Sequence, residues 1–117
     1  MTDTPVLDQT AIDNLRDLGA GDGGAFLREI IEIFLSDTPE RIAELKESLG
    51  HGDRERFLRN AHSIKGSSSN VGARALRIAA EQIEIQAHEG LSPGLSTPLA
   101  ELTAEFDRVR AELQRLL

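Results

Sequence analysis

Ala61-His62-Ser63-Ile64-Lys65-Gly66-Ser67-Ser68-Ser69-Asn70-Val71-Gly72 sets a histidine three residues before a lysine and four before a glycine. Offsets of three and four are neighbours on one face of an α-helix. On a helix, His62 therefore has a cation beside it and a missing side chain beside it. Those are the needs of a phosphoryl acceptor: a nucleophilic nitrogen, nearby positive charge and room for a partner to approach. An imidazole titrates near pH ~6.5, so at neutral pH much of it is uncharged and one ring nitrogen is free to attack. The phosphoramidate that results is labile enough to pass its phosphoryl group on, which a serine ester is not. Ser67, Ser68 and Ser69 are thus weaker acceptor candidates; at a helix end their hydroxyls suit backbone groups.

The neighbours of His62 follow from a turn of about 100° per helical residue. Phe57 and Ile64 fall roughly opposite His62, on the stripe that must be core, with Ala61 and Ser68 at its flanks. Glu55, Leu58, Arg59, Lys65, Gly66 and Ser69 fall within about 60° of His62. A phosphoryl group in transfer spreads charge over three oxygens, which Lys65 and Arg59 could neutralise. Gly66 lowers helix stability by about 1 kcal/mol relative to Ala, and leaves clearance beside the ring in exchange. Leu58 suits a docking patch, and Ser69 could reach phosphoryl oxygens.

Charge is unevenly distributed. The 117 residues carry 13 basic and 20 acidic side chains, a net charge of −7, which disfavours nucleic acid as a partner. Yet residues 51–77 hold Arg54, Arg56, Arg59, Lys65, Arg74 and Arg77 against Asp53 and Glu55. The only basic segment surrounds His62, a local field suited to an acidic partner or a phosphoryl group.

The elements that must position this face all read as helices. Ile12, Leu15 and Leu18 form a short leader helix that stops at Gly19. Asp22 can cap a second helix carrying Phe26, Leu27, Ile30, Ile31, Phe34 and Leu35. The pattern resumes after Thr38-Pro39 at Ile42, Leu45 and Leu49; proline favours a break, and we expect one long helix nonetheless. Gly50-His51-Gly52 reads as a turn and Asp53 as the cap of a third helix running to about Asn70. After Val71-Gly72, a fourth helix with Leu76, Ala80, Ile83 and Ala87 is expected to end at Gly90. Thr97-Pro98 marks the start of a last helix, Pro at its first position, with Leu99, Leu102, Phe106, Val109, Leu113 and Leu116. Sparse aromatics, no cysteine and no strand pattern leave an all-α single domain over residues 1–117: an antiparallel four-helix bundle with a short N-terminal leader helix.

Other signals are weaker. Gly19-Ala20-Gly21-Asp22-Gly23-Gly24 matches G-x-G-x-x-G, but a dinucleotide site needs a preceding strand, and here a helix precedes. His51 and His88 lie at element ends, and neither HExxH nor the Glu-x-x-His of bundle di-iron sites occurs, so no metal site is expected. Met1-Thr2-Asp3-Thr4-Pro5 lacks the pattern of a signal peptide, and no apolar run approaches the ~20 residues of a membrane span. The expectation is a cytoplasmic protein without membrane contact.

The chain resembles the histidine-containing phosphotransfer (HPt) domains of phosphorelays. The resemblance spans nearly all of it: Leu18-Gly19-Ala20-Gly21-Asp22 before Phe26-Leu27, Phe34-Leu35 before Thr38-Pro39-Glu40-Arg41, and above all His62-x-x-Lys65-Gly66 with Gly72. It implies that His62 is phosphorylated, Lys65 stabilises the phosphoryl group, Gly66 gives clearance and Gly72 forms the next turn. Some members set a glutamine on the following helix near the histidine; here Gln82 and Glu84 are the candidates, and Glu84 could orient the imidazole or repel phosphate. The resemblance implies a carrier between receiver-domain aspartates, expected as a monomer, and leaves open a free-standing protein or a domain excised from a hybrid kinase or a chemotaxis kinase. A hybrid histidine kinase is a further partner. It implies no ATP-dependent kinase activity and no cofactor of its own, the Mg²⁺ residing in the receiver. The alternative is a passive helical adaptor that binds receivers or kinases without being phosphorylated.

Overall fold

A computed structural model describes residues 5–117; the first four residues, including most of the segment read above for a signal peptide, lie outside it. Five helices follow in order: α1 (Gln9–Leu18), α2 (Ala25–His51), α3 (Arg54–Asn70), α4 (Arg74–His88) and, after a 3₁₀ turn at Pro93–Leu95, α5 (Ser96–Gln114). Helices α2 to α5 form the expected four-helix bundle, and α1 is the leader, packed on α2.

Local chemistry sets most helix ends. The Asp8 carboxylate accepts the Thr10 amide at 3.0 Å and opens α1, which closes at Gly19. Asp22 accepts three amides at the start of α2, those of Gly24 (2.8 Å), Ala25 (3.1 Å) and Phe26 (3.0 Å). The Phe26 amide foremost holds the Asp22 carboxyl below the usual carboxylate range. Helix α2 runs through Pro39, as expected, because its buried stripe (Leu27, Ile31, Phe34, Thr38, Ile42, Leu45, Ser48) continues on both sides of the proline.

Three ends differ from the sequence reading. Gly50 and His51 are helical rather than a turn: the residue in the left-handed conformation is Gly52 (φ +68°), where Gly52 N–H meets Leu49 O and Asp53 N–H meets Ser48 O at 2.9 Å. That double closure needs one left-handed residue, and only the second glycine supplies it. Helix α4 stops at His88 instead of Gly90, where the Arg54 guanidinium donates to the carbonyls of Ala87 (2.9 Å) and His88. Helix α5 starts at Ser96, two residues before Pro98, because the 3₁₀ turn at Pro93 already winds the chain.

The core is built from the predicted stripes. Phe57, Ala61 and Ile64 of α3, Leu76, Ala80, Ile83 and Ala87 of α4, and Leu99, Leu102, Phe106, Val109 and Leu113 of α5 are all buried. Each large member contributes about 1.5–3 kcal/mol by leaving water. Phe34 and Phe106 tie α2 to α5, ring centroids 5.9 Å apart. Polar bonds tie α2 to α3: Arg56 grips Glu44 with two bonds of 2.7 and 2.6 Å, and Arg41 donates to Asn60 at 3.3 Å. The Arg56 hydrogen bond holds the Glu44 carboxyl below its usual range. Helix α3 is thus fixed on both flanks, with its outer face free.

Candidate functional site

His62 sits midway along α3, opposite the buried stripe, its side chain 69% exposed. Helix α4 brings Glu84 alongside, only 13% exposed, with one carboxylate oxygen on each of two partners. Glu84 Oε2 lies 3.0 Å from His62 Nδ1, and Lys65 Nζ donates to Oε1 at 2.7 Å. Burial pushes the Glu84 carboxyl up, but the hydrogen bonds from Lys65 and His62 outweigh it and hold the group below the usual carboxylate range. Glu84 is therefore ionised at neutral pH and can only accept. In the neutral ring the bonded Nδ1 carries the proton, which leaves the Nε2 lone pair available for nucleophilic attack.

Gly66 leaves that approach open: a Cβ added there would meet no atom within 4 Å. Arg59 is exposed and makes no hydrogen bond or ion pair among the described residues. Leu58 is half-buried against the core, so only part of its surface remains for a partner. Ser67 donates to Ser63 O at 3.0 Å, the backbone role expected of all three serines, whereas the buried Ser68 hydroxyl meets no hydrogen-bond partner among the described residues.

Other nominated residues lie apart from the ring. Ser69 borders a polar cleft of about 260 Å³ with Asp8, Gly72, Arg74 and Arg77. Gly72 is buried at φ +72° in the α3–α4 turn, where Asp8 N–H donates to its carbonyl at 2.7 Å. Gln82 lines a groove between α4 and α5 with Ala79, Glu101 and Arg108, so the residue of α4 that meets the imidazole is Glu84. A broader apolar groove of about 680 Å³, lined by Leu49, Leu91, Pro93 and Leu99, shares no residue with the His62 site. Among the described residues no cluster of three or more His, Asp or Glu could hold a metal ion.

Residues 29–112 match the Hpt domain family. The chain belongs to that family. Its Hpt fold resembles histidine-containing phosphotransfer protein B (HptB) of Pseudomonas aeruginosa PAO1, with a TM-score of 0.86 and 26% identity over 97% of this chain and 95% of that one. It also resembles the histidine-containing phosphotransfer protein ZmHP2 of maize, at TM-score 0.83 and 25% identity over 94% of this chain and 81% of that one. The HPT domain of a hybrid histidine kinase from Shewanella, at TM-score 0.72 and 20% identity over 94% of this chain and 96% of that one, shares the fold. No curated protein is similar enough to match. As a member of this family the chain is a phosphohistidine carrier of two-component phosphorelays, and its partners are phosphorelay proteins. Among the described residues no helix is long and apolar enough to cross a membrane.

Sequence reasoning overlooked two groups that shape the site. Arg54 ties the start of α3 to the end of α4, and its cue was a cation one residue after the Asp53 cap. Asp8 clasps the Gly72 turn as well as capping α1. Its cap role was legible as an acidic residue just ahead of the leader helix; its contact with a turn 64 residues away was not.

Proposed function

We propose that His62 is the phosphoryl acceptor of this Hpt domain, and that its Nε2 forms the bond to phosphorus. The observation that carries the reading is the Glu84 carboxylate on Nδ1 at 3.0 Å, which selects the tautomer with Nε2 unprotonated. The donor is a receiver-domain aspartyl phosphate. The Nε2 lone pair attacks phosphorus, the N–P bond forms, the P–O bond breaks, and the aspartate leaves as a carboxylate. The imidazole ring keeps its Nδ1–H and becomes positively charged, and the negative Glu84 beside it stabilises that charge. Return to a second receiver reverses each of these changes. A Mg²⁺ ion held by the receiver would neutralise the phosphoryl oxygens on that side. The chain works as a monomer, since one copy carries His62, Lys65, Gly66 and Glu84, and it acts in the compartment of its receivers.

The test incubates the protein with phosphorylated receiver domains and follows intact mass and acid lability. Acid-labile, base-stable label on the wild type and none on His62→Gln, with receiver affinity retained, is the expected result. Binding without label on the wild type would make the chain an adaptor instead.

A further inference from the structure

Resting on His62 as acceptor, we infer that Arg59, rather than Lys65, is the cation that meets the transferring phosphoryl group. The phosphoryl group arrives with about two negative charges, and the site as built offers it little net positive charge. Lys65 lies 2.7 Å from Glu84 and is 28% exposed, so its ammonium is already neutralised. With the ring neutral, the set His62, Lys65 and Glu84 carries no net charge.

The other cations of the basic segment have partners as well. Arg54 donates to the carbonyl end of α4, and Arg56 holds Glu44 at 2.6 Å. Arg74 meets Asp8 at 3.5 Å and Arg77 meets Glu81 at 3.6 Å. Arg59 alone of the six is without a hydrogen-bond or ion-pair partner among the described residues, and it is exposed. Its charge reaches Glu44, whose carboxylate Arg56 already grips.

Position agrees with charge. Arg59 precedes His62 by three residues, which on a helix sets their Cβ atoms roughly 5–6 Å apart on one face. It stands on the α2 side of the ring, whereas Lys65 stands on the α4 side with Glu84. A guanidinium offers a planar fork that matches two phosphoryl oxygens at once, and it cannot be deprotonated near neutral pH. The two cations divide the work: Lys65 keeps Glu84 ionised and in place for the imidazole, and Arg59 binds the phosphoryl oxygens. Arg59 is a catalytic residue by contact, and Lys65 a positioning residue.

Phosphoramidate is the donor that isolates this contact, because it transfers without receiver docking. Nε2 attacks its phosphorus, the N–P bond to His62 forms, the donor's own P–N bond breaks, and the amine leaves as ammonia by taking a proton from water. Labelling is followed by intact mass, and the His62 ring by ¹⁵N NMR, in wild type, Arg59→Ala, Arg59→Lys and Lys65→Met. The expected result is labelling about tenfold slower in Arg59→Ala, partly restored in Arg59→Lys, with the ring ¹⁵N shifts of both unchanged. Lys65→Met is expected to move those shifts, because Glu84 loses its second partner. Wild-type labelling rates in Arg59→Ala, with the loss confined to Lys65→Met, would overturn the assignment. Failure of the wild type itself to label, or persistent label in His62→Gln, would instead overturn the acceptor reading beneath it.

Discussion

Glu84 and His62, contributed by different helices and 22 residues apart, meet through a carboxylate oxygen 3.0 Å from Nδ1. Replacing Glu84 with glutamine keeps an acceptor of similar shape but removes its charge. The amide can serve either ring nitrogen state, donating or accepting, so the tautomer is no longer dictated. Glu84→Gln should transfer phosphoryl about tenfold more slowly, and the ¹⁵N spectrum of His62 should show a mixed tautomer. Glu84→Ala, which also strands Lys65, should be slower still. A tautomer unchanged in both variants would mean that Glu84 does not orient the ring.

The same carboxyl predicts a response to acid. Glu84 is held below its ordinary value of 4.5 in the folded chain, so it binds its proton more weakly there than in the unfolded chain. Its contribution to stability is whole above that ordinary value and disappears as pH falls below it, through the lowered folded value. Thermal unfolding measured across pH should show wild type above Glu84→Gln near neutrality, with the two curves converging in acid. Asp22 and Glu44 are lowered as well, but they act on both proteins alike and drop out of the comparison. Parallel curves would show that Glu84 gains nothing from its partners.

Much of this arrangement could be read from the sequence, and the exceptions share a cause. Helical periodicity places His62 opposite Phe57 and Ile64, and those residues are buried. The same periodicity sets Gln82 and Glu84 about 100° to either side of Ile83 on α4. Which flank meets α3 and which meets α5 depends on how the helices are arranged around the bundle, and no residue near Ile83 encodes it. Gly50 misled for a related reason: a glycine is a permitted helix end but not a required one, and the closure used the next glycine along. Lys65 was legible as a neighbour of His62; its bond to Glu84 was not, because it spans two helices.

Gly66 separates clearance from fold. With no atom within 4 Å of an added Cβ, Gly66→Ala should fold and gain up to ~1 kcal/mol from better helix propensity. Its midpoint of thermal unfolding should rise. Gly66→Leu should fold too, yet project beside the ring into the path of a receiver. Transfer from a phosphorylated receiver should then fall steeply, while labelling by phosphoramidate, a small donor, persists. Equal loss with both donors would assign Gly66 a role in the chemistry itself rather than in access.

Gly72 tests the leader helix. It holds φ +72°, and an added Cβ would lie 2.8 Å from Ala11 Cβ and 2.9 Å from the carbonyl oxygen of Asp8. Gly72→Ala therefore meets both backbone strain and a clash with backbone that cannot swing aside, costing about 1–3 kcal/mol. The bond from Asp8 N–H to Gly72 O, 2.7 Å in the wild type, is the first to yield. Hydrogen exchange should accelerate in α1 first, because it adds only a short buried face around Ile12 to the bundle. His62, ten residues upstream and braced by Arg56 and Arg54 on α3, should keep its Glu84 bond and its rate of labelling by phosphoramidate. Loss of labelling in step with α1 exchange would show that the leader, through the Gly72 turn, holds the α3–α4 pair in register.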